Sequence, residues 1–207
     1  MGATLTAQWF AGGGGGISTL SADGQTRIDG ASTGISLYKP ENGLSAHGFV
    51  GRHVREYFSV QGSYTWNRNA LSLTGSTVAN GVEATYQQDY KSQSHGVAAE
   101  AMAYFRPRGS RIRPYVAGGL GLMHMGATGG AVTVSKGNVR LPPGEFSATK
   151  AMWRTSVGVD FQLGRGYSFR YNFWESLSGN PISKQLTPPG ERNLANFQSI
   201  FSVVRTF

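Results

Sequence analysis

The sequence predicts an all-β chain: an eight-stranded antiparallel up-and-down β-barrel that spans a membrane, with three short turns at one end and four long loops at the other. The first observation is strict period-two alternation, clearest in the hairpin from Met152 to Trp174. Its first arm sets Trp153, Thr155, Val157, Val159, Phe161 and Leu163 on one face and Met152, Arg154, Ser156, Gly158, Asp160 and Gln162 on the other. Its second arm sets Tyr167, Phe169, Tyr171 and Phe173 against Ser168, Arg170, Asn172 and Trp174. An aromatic face opposite a face of paired charge, Gly and Ser suits a barrel that is apolar toward lipid and polar inside. The second observation is composition. Of 207 residues, 14 % are charged, 30 are Gly and 12 % are aromatic, with mean hydropathy −0.26. No run approaches the ~20 apolar residues of a membrane helix, whereas alternating strands average to near-neutral hydropathy. The third is that connections alternate short and long along the whole chain.

Taken in order, Leu5 to Ile17 is the first strand. Its run Gly12–Gly16 lacks the Gly-Lys-Ser/Thr of a phosphate loop and reads as close backbone packing or a bend in the wall. Ser18 to Gly43 is polar and turn-rich, a long loop. Leu44–Val54 and Phe58–Asn67 form a hairpin across Arg55-Glu56-Tyr57, with Val50, Phe58, Val60, Tyr64 and Trp66 outward and His47, His53, Ser59, Gln61, Ser63 and Thr65 inward. Asn69 to Ser94 is a second excursion, of which Leu71-Ser72-Leu73-Thr74 reads as strand continuing past the membrane. His95–Arg106 and Pro114–Met125 are joined by Pro107–Arg113, and Ala117, Gly119 and Gly121 leave inward room beside Glu100. Gly126–Lys150 is the third excursion. The hairpin 152–174 turns at Gly164-Arg165-Gly166; if Leu163 pairs with Tyr167, Asp160 faces Arg170. Leu177–Asn193 is the fourth excursion and Leu194–Phe207 the last strand. One domain covers 1–207, with both termini on the short-turn side.

This pattern resembles the small bacterial outer-membrane barrels, the OmpA transmembrane-domain and OmpX-like group, over essentially the whole length. The resemblance rests on the amphipathic strands, the loop alternation, the opening Pro114-Tyr115-Val116-Ala117-Gly118-Gly119 and the terminal Phe207. It implies a bacterial outer-membrane location with both termini and the short turns in the periplasm. It also implies that the closing strand, through Phe207, Val203 and Phe201, is recognised by the outer-membrane assembly machinery. Arg205 departs from that signal by falling on the lipid-facing parity, where a long Arg can snorkel to head groups. No secretory signal precedes the first strand, so an exported chain would be the mature form with an initiating Met1. Met1-Gly2 with Thr6 formally matches a myristoylation pattern, but Leu5–Phe10 already reads as strand.

On this topology the net charge of +8 divides unevenly. The periplasmic rim carries Arg52, Arg55, Arg106, Arg108, Arg111, Arg113, Arg165 and Arg205 against Glu56, a balance of +7. The outer loops contribute +2 and the wall −1. An Arg ring suits the head groups of outer-membrane lipids, at about 1 kcal/mol per residue near an anionic surface. The sharper alternative is an acidic periplasmic or surface protein partner. Nucleic acid is not favoured, since no stacking aromatics lie between these arginines.

Glu100, Arg154, Asp160 and Arg170 share the inward parity and form the expected lumen salt-bridge network. Their structural role is a plug; their functional alternative is the lining of a small gated pore for ions or small solutes. If Phe105 pairs with Pro114, His95 falls opposite His124 on the lipid-facing parity, a lipid-phosphate contact or a chance surface pair. Some outer-membrane lipid A deacylases carry His-x-Ser on a lipid-facing strand, but here His124-Met125-Gly126 has no Ser. There is no Ser-His-Asp order, no His-Glu-x-x-His, no nucleotide fingerprint and no Cys. No cofactor or metal is expected. The function that follows is a non-enzymatic structural or interaction component of the envelope. The alternatives are the gated pore and a soluble lipocalin-like carrier, in which the aromatics would line an internal pocket.

Overall fold

The structure, a computed structural model, describes residues 8–21, 26–28, 32–40, 42–79, 82–137, 144–180 and 193–207. The strands are β1 (Gln8–Ser21), β2 (Thr26–Ile28), β3 (Ser32–Pro40), β4 (Asn42–His53), β5 (Phe58–Ala79), β6 (Val82–Tyr104), β7 (Ile112–Lys136), β8 (Glu145–Gly164), β9 (Tyr167–Gly179) and β10 (Asn193–Thr206). Antiparallel pairing runs β1–β4–β5–β6–β7–β8–β9–β10 and returns to β1, closing an eight-stranded up-and-down barrel. β3 pairs with the upper half of β5, Pro40 beside Leu71, while β4 pairs with the lower half, Leu44 beside Arg68. Between these points the chain advances four residues against three on β5, so β3 and β4 are two lengths of one wall strand separated by a bulge. β2 pairs back onto β3 above the barrel proper.

The inward and outward parities are those of the sequence. His47, His53, Ser59, Gln61, Ser63 and Thr65 are all buried inside, and Val50, Phe58, Val60 and Tyr64 are exposed outside. Trp153, Phe161, Tyr167 and Phe173 are exposed; Phe169 and Tyr171 share their face and lean on Phe201 at 5.7 and 5.0 Å. These aromatics do not surround a cavity, which overturns the carrier alternative.

Two expectations are corrected. The excursions at 18–43, 69–94 and 126–150 are largely strand: the first holds β2, β3 and the ends of β1 and β4, β5 and β6 run 22 and 23 residues, β7 25 and β8 20. A tilted crossing needs only about 9–11 residues, so roughly half of each strand stands clear of the membrane. There Ser72, Thr74 and Gln87 take the outward positions and Leu71, Leu73 and Tyr90 the buried ones, so polar residues stand where the membrane band is apolar and strand hides behind a loop-like composition. By contrast β1, β9 and β10 have 13 or 14 residues, whereas β4, with 12, is continued upward by β3, so the wall is tall on the side of β3 to β8. Most of the fourth excursion, 181–192, lies outside the described residues, as do Leu5 and Thr6. The turn after β8 also differs. Leu163 is bulged, Gly164 pairs with Tyr167, and the turn is Arg165-Gly166 with φ of 53° and 77°. That mirror-image two-residue turn matches strand twist. Asp160 still faces Arg170, because the slip falls beyond Gln162.

The glycines of β1 bend the sheet. A Cβ at Gly12, Gly14 or Gly16 would press on the carbonyl oxygens of Val203, Phe201 and Ser199 of β10. Likewise, a Cβ at Gly119 or Gly121 would overlap the carbonyls of Ala99 and Val97 of β6. In the ring of strands these two seams are diametrically opposite, and at both the neighbouring backbone approaches too closely for a Cβ, the setting of a glycine kink. Gly14→Ala should therefore cost at least about 2 kcal/mol of barrel stability, as overpacking against unyielding backbone does. Gly48→Ala, where a Cβ would meet nothing within 4 Å, should be near neutral. Urea unfolding in lipid vesicles followed by tryptophan fluorescence checks the contrast; equal midpoints would remove the bending role.

Candidate functional site

The lumen is filled in layers. At the short-turn end Phe10, Phe49, Met102, Tyr104, Tyr115 and Val204 form one apolar cluster. Toward the other end Leu20, Leu71, Leu73, Tyr90, Met123, Met125, Met152 and Leu194 belong to a second. The charges lie between them. Arg170 grips Asp160 through both carboxylate oxygens, Nε to Oδ1 at 2.6 Å and Nη2 to Oδ2 at 2.8 Å. Tyr104 donates to Asp160 Oδ2 at 3.1 Å and accepts from Arg170 Nη2 at 3.0 Å. Arg170 Nη1 donates to Gln61 Oε1 at 3.2 Å, and Gln61 Nε2 passes the connection to Glu100 Oε2 at 2.9 Å. Ser63 donates to the same Glu100 oxygen at 3.0 Å and accepts from Arg154 Nη1 at 3.1 Å. Arg154 lies 3.9 Å from Glu100, donates to Ser176 at 3.1 Å and sits 4.8 Å from the Trp174 ring.

The four charges named from parity are thus brought into one network, but only one pair is a close bidentate bridge. The second is held through Ser63. Gln61, Ser63, Tyr104, Ser176 and Trp174 complete it. Their inward parity was visible in the sequence; which of the facing strands each would reach across to was not. This is a reason for such a network to be rigid: Arg154, Asp160 and Arg170 are each held by side chains from at least two other strands, and Glu100 takes two hydrogen bonds from β5 on one oxygen. Arg170 also lies 4.9 Å from the Phe49 ring and 5.2 Å from that of Tyr115, so its flat faces are covered by aromatics.

The arginine rim loses one member. Arg113 is buried, with its guanidinium 3.9 Å from the Tyr104 ring and Nη2 donating to the Glu56 carbonyl at 3.3 Å. Its odd position on β7 points it inward, beside Asp160 in register, so it closes the lumen floor rather than standing on the rim. Arg52, Arg55, Arg106, Arg111, Arg165 and Arg205 are exposed, and Arg108 is half-buried, its backbone N–H on Glu56 Oε1 at 2.6 Å. Arg205 lies between Tyr167 and Phe207, 5.5 and 5.2 Å from their rings. Phe201, Val203 and Phe207 all face outward and are more than half exposed.

On the outer wall His95 and His124 are register partners. Tyr64 Oη lies 2.7 Å from His95 Nδ1 and Thr149 Oγ1 2.9 Å from His124 Nδ1. No group of three or more metal-ligating side chains occurs among the described residues.

Residues 2–200 match the family model described as outer membrane protein beta-barrel domain. No curated protein is a significant match in sequence. Among solved structures, the Neisserial surface protein A barrel superposes with a TM-score of 0.58 at 14 % identity, covering 96 % of this chain and 97 % of that one. The attachment invasion locus protein of Yersinia pestis, in complex with the heparin analogue sucrose octasulfate, gives 0.53 at 14 % identity, covering 98 % and 100 %. These similarities are of fold.

Removing one partner of the close ion pair should be severe. Asp160→Asn leaves Arg170 buried without its counter-charge and should lower stability by roughly 3–5 kcal/mol. The double change Asp160→Leu with Arg170→Met should recover most of that loss, because no orphaned charge remains. Urea midpoints of the folded band on unheated gels report both; a neutral Asp160→Asn would mean the pair does not hold the lumen.

Proposed function

The chain belongs to the outer-membrane β-barrel family, and from that premise we propose that it is a non-enzymatic interaction protein of the bacterial outer membrane. In this reading the barrel is an anchor and the tall strands β5–β8 are the working surface, projecting outside the cell, with both termini and the arginine rim in the periplasm. The observation that carries it is the contrast between a lumen closed by two apolar clusters around a hydrogen-bonded charge network and a wall extended far beyond what a crossing needs. Long extensions that served only to span would be redundant; they supply paired, rigid backbone on which surface side chains are held in fixed register. The attachment protein of Yersinia pestis is a barrel of the same fold. The support here is this chain's own outer wall. The periplasmic rim, in turn, suits anionic inner-leaflet lipid or an acidic envelope partner, and the closing strand the assembly machinery.

A narrow gated pore is the second reading. It draws on His47, Tyr115, Asn172, Trp174 and Ser202, whose buried polar atoms find no protein hydrogen bond and are natural partners for water.

Planar-bilayer recording separates the two: the anchor reading expects no resolvable single-channel steps, and reproducible steps altered by Arg154→Gln would favour the pore. Orientation has a clean reporter because the chain contains no Cys. Val134→Cys should react with an impermeant maleimide in intact cells, and Arg165→Cys only after the outer membrane is permeabilised; the reverse pattern would invert the topology. Phe207→Ala should reduce membrane assembly in cells several-fold while shifting the urea midpoint of refolded protein little. Normal assembly of that variant would remove the recognition role of the last residue.

A further inference from the structure

The outer wall across β5, β6, β7 and β8 carries three zones in line, each of a different chemistry. The lowest is a trough of 940 Å³ whose floor includes Gly62, Ala99, Ala101 and Gly118 and whose sides include Leu120 and Trp153. These are outward positions within the apolar band. Val97 and Leu122, both more than half exposed, continue the apolar surface upward from it. Above them comes the row Trp66–His95–His124–Thr149, residues that are register partners across four strands. A rise of about 3.3 Å per residue along strands tilted by roughly 40° puts His95 about 25 Å above Phe105, the height of the lipid-facing band. The histidine row therefore stands at its edge.

Directly above the histidines lies a groove of 590 Å³, lined by Arg68, Lys91, Gln93, Thr128, Glu145 and Ser147 among others. Arg68 pairs in register with Gln93 and Ala70 with Lys91, so the two cations are diagonal neighbours on adjacent strands, roughly 7 Å apart. That spacing lets both reach a single phosphate. Among the described residues neither makes an ion pair. Glu145 flanks the groove from β8, beyond Thr128, and its repulsion would hold an anion on the β5–β6 side. Each histidine has Nδ1 engaged by a neighbouring hydroxyl, which leaves Nε2 as the atom available to a ligand.

The third zone shares Lys91 and Thr128 with the second and continues up the extension as a groove of 840 Å³. Its walls include Ser72, Thr74, Gln87 and Asp89, with Ser72 donating to Asp89 at 3.0 Å and accepting from Gln87 at 3.2 Å. Linked carboxylate, amide and hydroxyl groups are what a surface offers to a hydroxyl-rich sugar. Burial beside this groove pushes the Tyr90 phenol up to about 12, so it stays neutral.

We propose that this wall is a binding site for a phosphorylated glycolipid of the outer leaflet. Acyl chains lie over Val97 and Leu122 into the trough, a phosphate is held by Arg68 and Lys91 above the two histidines, and the saccharide runs up the polar groove. The order of the zones selects the occupant. A free anion has no use for the trough, and a membrane phospholipid has no saccharide to fill the upper groove. The proposal rests on the tall strands facing out of the cell, which the cysteine labelling above tests separately.

The test uses the full chain refolded in detergent micelles and titrated with hexa-acyl bis-phosphorylated lipid A, its dephosphorylated form, lipid A bearing core sugars, phosphatidylglycerol or inorganic phosphate. Bound lipid is counted by native mass spectrometry. Bis-phosphorylated lipid A should bind at least tenfold tighter than the dephosphorylated form and phosphatidylglycerol, and core sugars should tighten it further. The double variant Arg68→Gln with Lys91→Gln should lose tenfold or more, while Lys136→Gln, a basic position outside the grooves, should be unchanged. Both variants are at exposed positions, and heat-modifiability on gels verifies that they fold. Equal retention by wild type and the double variant overturns the site. So does equal affinity for phosphatidylglycerol, which would mark an unselective basic surface, or displacement of the lipid by millimolar phosphate. If binding holds but labelling places Val134 in the periplasm, the site stands as a lipid site and the outward topology falls.

Discussion

Every backbone N–H and C=O that crosses hydrocarbon has to be paired within the protein, and a sheet meets that demand only by closing on itself. Here closure falls on β1 and β10, whose register runs from Phe10 beside Thr206 to Ser21 beside Ala195. With few strands the sheet must curve tightly, and the inward face at that seam has no room for Cβ atoms. The run Gly12–Gly16 is the consequence. It resembles low complexity in sequence but occupies one of two opposed folds in the wall. The other is supplied by Gly119 and Gly121 against β6.

Tight closure determines what the interior can be. A ring of this size is filled by side chains, and its inward alternation has to place large groups where the opposite wall is small. Trp174 and Arg154 share the space facing small or short residues such as Ser63, Thr65 and Ser176. Arg170 takes the level below, between Asp160 and aromatic rings. Charges confined like this raise stability only when all their donors and acceptors are met, so the network and the apolar layers above and below it are mutually dependent. A lumen organised in this way suits the anchor role proposed above, in which function is placed on the surface.

Alternation made the membrane-embedded part legible. Period two fixed which residues face in at Gln61, Glu100, Asp160 and Arg170, and hairpin arithmetic fixed Asp160 opposite Arg170 and His95 opposite His124. Legibility failed where the outward face leaves lipid for water. Above the bilayer Leu71, Leu73 and Tyr90 are buried inside while Ser72, Thr74, Gln87 and Gln93 point outward, so the apolar-outward contrast that marks the membrane band is lost and strand reads as loop. Arg113 misled for a different reason: a charged residue two positions after Gly109-Ser110-Arg111 looked like part of a turn, whereas β7 begins at Ile112 and its parity had already turned Arg113 inward. The grooves on the outer wall were invisible because they arise from register between four strands, which no single strand's pattern encodes.

The same lopsidedness links the fold to its surface. Were all eight strands cut to crossing length, Arg68 and Lys91 would sit on loops, and their separation would vary with loop motion. On β5 and β6 they lie within a continuous ladder from Phe58 beside Ala103 to Ala79 beside Val82. The ladder ties their geometry to the same register that sets His95 against His124 at the membrane edge. Extending the strands therefore does two things at once. It lifts a polar surface away from the bilayer, and it keeps that surface aligned with the apolar wall beneath, so that one molecule with a lipid end and a polar end can be read along its whole length.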